Sequence, residues 1–203
     1  MTANGKASYL RAVRPPGEGT PRCAPVNGDQ RALRDVLGRF ATGITILTSV
    51  GDVVHGMTAN AFSSVSLDPP LVLVCVRRGA LMHHTIAANG AFALSMLGAD
   101  QEHLARYFAN ADRPTGLAQF DAVDWNPGPC TGAPLLGGAL AWLECELSES
   151  YDGGDHSIFV GRVLGLGSGA GRSALLFFGG TYHQVQPTSV VGTLPTASQR
   201  ESR

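Results

Sequence analysis

The sequence predicts a mainly β protein, a small antiparallel barrel or sandwich with a few accessory helices. Three observations predict it. Short β-branched or apolar runs recur along the chain, and turns dense in Gly and Pro separate them. Strands and helices do not alternate throughout, as a parallel βαβ sheet requires.

Residues 1–28 carry Pro15, Pro16, Pro21 and Pro25 without a hydrophobic period, which reads as a disordered N-terminal tail. Leu33, Val36, Leu37 and Phe40 then fall at i, i+3, i+4 and i+7, one face of an amphipathic helix. Asn27-Gly28-Asp29 offers its cap. Residues 43–50 form a continuous β-branched run. A second strand region extends from Val53 through Ser66 and is broken by Asp68-Pro69-Pro70. Leu71 to Val76 reads as a buried strand.

A short helix from Ala80 to Ala88 stops at Asn89-Gly90, where Gly permits a left-handed C-terminal residue. Phe92 to Leu97 is the next strand, and Asp100 is positioned to cap a helix carrying Leu104, Tyr107 and Phe108. A Pro/Gly-rich loop covers 111–138, and further strands follow at 139–151, 156–166, 175–178 and 182–185. Residues 187–203, with Pro187 and Pro195 among polar residues, read as a flexible C-terminal tail. The folded unit is expected over 29–186.

Composition removes several function classes. The 203 residues hold 15 basic and 16 acidic side chains, a net charge of −1. A nucleic-acid binder normally shows a basic excess, and nothing here attracts an anionic membrane electrostatically. No apolar run reaches the roughly 18 residues of a membrane span, and no signal-peptide core stands at the N-terminus. Fourteen of the 15 basic residues are Arg, and the one lysine, Lys6, lies in the N-terminal tail. Schiff-base enzymes need a pocketed lysine and P-loop hydrolases need the Lys of GxxxxGK[ST]. Cys23, Cys75, Cys130 and Cys145 are isolated, without zinc-site spacing. Cys75 and Cys145 lie in apolar runs and read as small buried side chains. These features suit a soluble, reduced, cytoplasmic protein.

Two apparent motifs are decoys. Gly165-Leu166-Gly167-Ser168-Gly169-Ala170 fits GxGxxA, but the apolar segment after it is too short and β-like for the helix of a dinucleotide fold. A hairpin loop is the better reading. The adjacent His83-His84 point to different helix faces, which does not suit a metal. No GxSxG nucleophile elbow occurs.

The informative segment is Gly56-Met57-Thr58-Ala59-Asn60-Ala61-Phe62-Ser63-Ser64-Val65-Ser66-Leu67-Asp68-Pro69-Pro70, continuing into Leu71 to Val76. Small polar residues in a strand fit an edge strand tuned for solubility. They also let a flat ring lie against the backbone, with peptide groups free to bond its edge. The strand 71–76 leads through Arg77-Arg78-Gly79 to a helix N-terminus, an arrangement suited to a phosphate. A ring platform beside a phosphate grip is what a flavin nucleotide needs.

With these residues, the chain resembles the flavin reductase family, short-chain NAD(P)H:flavin oxidoreductases on a flavin-binding split barrel. The resemblance runs from Leu33 to Val185. Its further markers are Arg39-Phe40-Ala41-Thr42-Gly43, residues Phe92 to Leu97, Gly154-Asp155-His156 with the strand to Val163, and Phe178-Gly179-Gly180-Thr181-Tyr182.

The resemblance implies a Greek-key barrel of about six strands, a homodimer with flavin near its interface, and supply of reduced flavin to a separate monooxygenase. It implies FAD or FMN, with NADH or NADPH as electron donor. Met57, Thr58, Ala59, Asn60, Ser63 and Ser64 would face the flavin, while Cys75, Val76, Arg77 and Arg78 would line its phosphate end. Leu81, His84 and Tyr182 join that set. Family members often carry Ser or Thr near Ala80, so phosphate binding here leans on backbone amides and Arg77, Arg78, His84 or Thr85. From the residues alone, His156 reads first as a turn cap after Gly153-Gly154-Asp155. The resemblance makes it the catalytic residue, with Asp155 fixing its imidazole. Two rivals remain: a flavin-dependent oxidase of the pyridoxamine-phosphate oxidase type, and a non-catalytic flavin-binding module.

Overall fold

The structure is a computed structural model and describes residues 28–185. The tails expected over 1–28 and 187–203 lie outside the described residues, Gly28 apart. The described residues divide into two units at the boundary between Arg34 and Asp35. A helix, α1 (Gln30–Leu37), forms where the 3.6-residue period predicts it. The Asp29 Oδ1 accepts the N–H groups of Arg31 and Ala32 at 3.0 Å, so Asp29 is the working cap.

The apolar face of α1 is a surface feature. Leu33, Val36 and Leu37 are 42%, 69% and 63% exposed, and Phe40, expected on this helix, lies past its end at Leu37 and is 77% exposed. Periodicity reports that a helix has an apolar side, not what covers it.

The second unit runs β1 (Thr42–Gly43), β2 (Thr45–Val50), β3 (Val54–Ala59), β4 (Phe62–Leu67), β5 (Pro70–Arg77), α2 (Leu81–Asn89) and β6 (Ala91–Met96). A 3-10 turn, Ala99–Gln101, enters α3 (Glu102–Ala109), and a second one spans Gly116–Phe120. Then come β7 (Trp125–Pro127), β8 (Pro134–Leu136), β9 (Ala141–Gly153), β10 (His156–Ser168), β11 (Ala174–Phe178) and β12 (Thr181–Val185).

Seven strands make one antiparallel sheet in the order β3-β2-β6-β9-β10-β5-β4, so the main sheet exceeds the expected six. Smaller sheets are β1-β11-β12 and β7-β8. The strands β3 and β4 are joined by Asn60 and Ala61 alone, yet stand at opposite edges of the large sheet. A two-residue link spans a few ångströms. The sheet must therefore curl until its edges meet there, without a ladder between them.

The strand β2, paired on both sides by β3 and β6, explains the continuous apolar run at 43–50. Its successive side chains enter two different cores. Leu47 joins Val74, Val76, Met82, Ile86, Phe92, Leu94 and Phe159. Ile46, with Ile44 before the strand, joins Leu97, Phe108, Phe120, Leu136 and Leu175. The buried hydroxyls beside them are satisfied: Thr45 donates to Ala59 O at 3.0 Å, Thr48 to Pro134 O at 2.8 Å and Ser49 to Ala91 O at 2.7 Å.

The helix α2 ends as Asn89-Gly90 requires, with Gly90 at φ 69° donating to Ile86 O. Four expectations change. Gly98, not Asp100, caps the turn into α3, its N–H donating to Gln101 Oε1 at 3.1 Å. Residues 165–168 continue β10 rather than looping, because the ladder to β9 persists to Ser168↔Ala141. The loop at 111–138 contains a 3-10 turn and two short strands. Strand β5 alternates buried and half-buried residues, leaving Cys75 half-buried while Cys145 is fully buried. Among the described residues no helix is long and apolar enough to cross a membrane.

Candidate active site

A groove of about 440 Å³ opens between β3, the start of α2, the end of α3 and the loop at 111–115. Its walls include His55, Met57, Thr58, Leu81, Phe108 and Arg113. The strand β3 is an edge strand, and side chains rather than a neighbouring strand satisfy its free side. Gly56 N–H donates to Gln119 Oε1 at 2.9 Å, and Gln119 Nε2 donates to Val54 O at 3.0 Å. The same amide donates to Gly116 O at 2.7 Å, while an Arg113 Nη2–H donates to Gly56 O. Gln119 thus stands in for the peptide group of a missing strand, which fixes β3 without closing the barrel. Gly56 has to be Gly here, because a Cβ would lie 2.8 Å from Phe108 Cε1 and 3.0 Å from Phe120 Cζ.

His55 accepts from Arg113 Nη2 at 3.4 Å. Burial first, and the Arg113 charge second, push its pKa down to about 4. The imidazole is therefore neutral at neutral pH.

A second cluster forms where β5 ends beside the β9–β10 hairpin. His156 pairs with Arg77 across the ladder, and its Nδ1–H donates to Asp155 Oδ1 at 2.8 Å. That bond, then the imidazole's charge, holds the Asp155 carboxyl below its usual range. The pairing fixes one ring nitrogen and leaves Nε2 for a ligand. Arg78 N–H donates to Asp155 O at 3.1 Å, and its guanidinium pairs with Asp152 at 2.9 Å. The Gly154 N–H, then Arg78, holds Asp152 low. Gly154, at φ 81°, makes this turn possible.

The remaining predicted residues are spread over the split. Ala59 and Val76 are buried in the core, so alternation along the strand leaves only their backbone for a ligand. Thr58 Oγ1 donates to Ala105 O at 2.6 Å, committing its hydroxyl to α3. Asn60 is exposed, donates to Thr42 Oγ1 at 3.1 Å and lines a second, apolar groove of about 410 Å³ with Thr42, Ile44, Phe62 and Met96. Ser63 and Ser64 are exposed on the edge strand β4. His84 is exposed beside His83, and His83 Nε2 lies 2.9 Å from Ser157 Oγ. Tyr182 sits on the small sheet, against Phe177 and under Arg106.

The structure therefore brings Met57, Thr58 and Leu81 into one groove, and Arg77, Arg78, Asp155 and His156 into one cluster. No motif in the sequence singles out His55, Arg113 or Gln119. Arg113 does carry a signal, as the single Lys or Arg between Arg106 and Arg162. Among the described residues no three His, Cys, Asp or Glu side chains group to hold a metal.

An antiparallel sheet curled to an unpaired seam, with small-residue strands at that seam, is the split barrel of flavin reductases. The chain belongs to that family: the model of the flavin reductase like domain matches residues 37–186. It is 48% identical over 164 residues to an NADH-dependent FAD reductase of Streptomyces globisporus, covering 81% of this chain and 90% of the relative. It is 36% identical to the reductase subunit of a flavin-dependent monooxygenase of Rhodococcus jostii (strain RHA1), covering 80% and 82% of the two chains. The flavin reductase component of a bacterial two-component tryptophan halogenase superposes with a TM-score of 0.76 at 50% identity, over 79% of this chain and all of the other. The Streptomyces globisporus NADH:FAD oxidoreductase solved with NAD and FAD fragments superposes at 0.75 and 45% identity, over 82% and 99%.

Proposed function

We propose that this protein is an NADH-dependent flavin reductase that takes FAD or FMN and supplies reduced flavin to a separate monooxygenase. The observation that carries the reading is the groove and cluster on a split barrel. One offers an apolar, small-residue wall, the other an oriented imidazole beside arginines. The preference for NADH and FAD rests on the names of the relatives. The working unit is residues 29–186, acting in the cytoplasm, in keeping with the free thiols of Cys75, Cys130 and Cys145.

The residues present fit a flavin nucleotide. Bound flavin would supply a ring able to accept hydride from the reduced nicotinamide, and the two nucleotides carry the organic chemistry. The chain's part is placement. Met57 and the Thr58 backbone support the ring, held in line by Gln119 and Arg113 behind them. Arg77 and the amides opening α2 take a phosphate, since Arg78 is already engaged by Asp152. His156, oriented by Asp155, would offer its Nε2 to the nicotinamide and help position it. No nucleophile or metal is needed for this task.

A homodimer follows in the same reading. The exposed Val36, Leu37 and Phe40 form an apolar surface suited to a second copy, and sedimentation equilibrium tests it.

The deciding assay mixes protein, FAD or FMN, and NADH or NADPH, and follows loss of nicotinamide absorbance. Flavin-dependent oxidation supports the reductase. Its absence with both nucleotides overturns it in favour of an oxidase or a non-catalytic flavin carrier. The H156A variant should lose turnover while melting like the wild type; full activity would reduce the histidine to a structural role. Replacing Arg77 and Arg78 together by Ala should weaken flavin binding.

A further inference from the structure

The groove beside β3 holds a positive charge that no acidic group answers. Arg113 is half-buried, and its hydrogen bonds go to neutral partners: Asn110 O at 2.5 Å, Gly56 O, and His55 Nε2 at 3.4 Å. It enters no ion pair among the described residues. Its Nε–H is buried with no hydrogen-bond partner. No acidic side chain lines the groove. Taking a guanidinium partly out of water without a counter-charge costs free energy, and a bound anion would offset that cost.

The opposite wall has the same preference. Ala80 and Leu81, which open α2, line the groove, and Ala80 caps the nine-residue helix without a side-chain hydrogen bond. His83 N–H donates to Ala80 O at 3.0 Å, and the Leu81 and Met82 amides are left for another acceptor. Between the two ends lie the apolar side chains of Met57, Leu81 and Phe108.

We infer that Arg113 is an anion-recognition residue, and that its ligand is the phosphate or diphosphate of a nucleotide whose ring system lies along Met57 and Leu81. This rests on the reductase reading and adds to it a contact separate from Arg77 and Arg78. Each nucleotide of the reaction brings its own phosphate or diphosphate, so one cluster of cations does not serve both. A guanidinium forks onto phosphate oxygens through paired N–H groups, which a point charge does not reproduce.

The test uses the full chain with R113Q and R113K. Dissociation constants for FMN and for riboflavin, which lacks the phosphate, are measured by flavin fluorescence without nicotinamide. Michaelis constants for NADH are set beside those for reduced nicotinamide riboside, the phosphate-free counterpart. The R113Q change should raise the constant of one phosphorylated ligand about tenfold while its phosphate-free counterpart moves less than about twofold. The affected pair identifies the source, flavin or nicotinamide. R113K, which keeps the charge but not the fork, should fall between and decides the matter if R113Q does not fold.

Equal weakening of phosphorylated and phosphate-free ligands, or no change in either pair, overturns the inference and leaves Arg113 as a tie for its loop. A wild-type protein that binds neither nucleotide overturns the reductase reading and this inference with it.

Discussion

Replacing Gln119 by Leu removes three hydrogen bonds from the one segment where β3 has no neighbouring strand. Gln119 is fully buried, so water cannot substitute. The change strips the Gly56 N–H of its acceptor and the Val54 and Gly116 carbonyls of a donor. At about 1 kcal/mol net for each neutral bond, the loss is about 3 kcal/mol. For a domain of this size 1 kcal/mol moves the midpoint by about 2–4 °C, so Tm should fall by about 10 °C. Thermal unfolding followed by far-UV circular dichroism measures it. Flavin affinity should fall too, because Met57 and Thr58 lie on the strand that has lost its anchor.

A second variant separates the acceptor from the donors. Q119E keeps an acceptor for Gly56 N–H but turns a carboxylate oxygen toward two carbonyls. It should destabilise more than Q119L at neutral pH and recover in part as protonation restores one donor. A Q119L midpoint within about 2 °C of wild type would refute the idea that Gln119 replaces a strand.

Gly161→Ala should cost about 1–3 kcal/mol, because its Cβ would lie 2.5 Å from Phe92 Cζ and 2.9 Å from Cys145 Cβ, both residues fully buried; denaturant unfolding with and without F92L measures the overlap, and no relief in the double variant sinks it. His55 titrates near 4 in the fold against 6.5 for the free side chain. The folded state therefore binds fewer protons between those values, and the stability present above pH 6.5 is lost as pH falls toward 4. Unscreened, that is about 3 kcal/mol, reduced to about half because the ring is only half-buried. H55Q should flatten the urea-midpoint profile across that range, and an unchanged profile would contradict it. Lowering salt should tighten FMN binding more than riboflavin binding, since a phosphate contact to Arg77 is screened by ions; equal salt responses would oppose that assignment.

Periodicity and turn chemistry are enough to make the fold class, α2 with its Gly90 stop, and the hairpin at Gly154 legible in the chain itself. Those features are local: a residue's own backbone freedom and its neighbours at two or four positions decide them. The Arg77-Arg78 and Asp155-His156 pairs are legible for the same reason, each being adjacent in the chain. Their meeting is not, because the β5–β10 register that sets His156 opposite Arg77 belongs to strands about eighty residues apart.

What only the tertiary structure decided is which side of each element a ligand could meet. Spacing alone does not show that Val76 and Ala59 turn into the core, or that Asp152 engages Arg78. Nor does it show that Gln119 and Arg113, from an unremarkable loop, cap the free edge of β3. By itself the sequence determined a β-rich chain whose one lysine is Lys6, which removed pocket-lysine and P-loop chemistry, and its motifs carried the family resemblance. The curl of the sheet then decided which segments meet, because the short Asn60-Ala61 link draws its two outer edges together, while β3, α2, α3 and the loop at 111–115 enclose a separate groove.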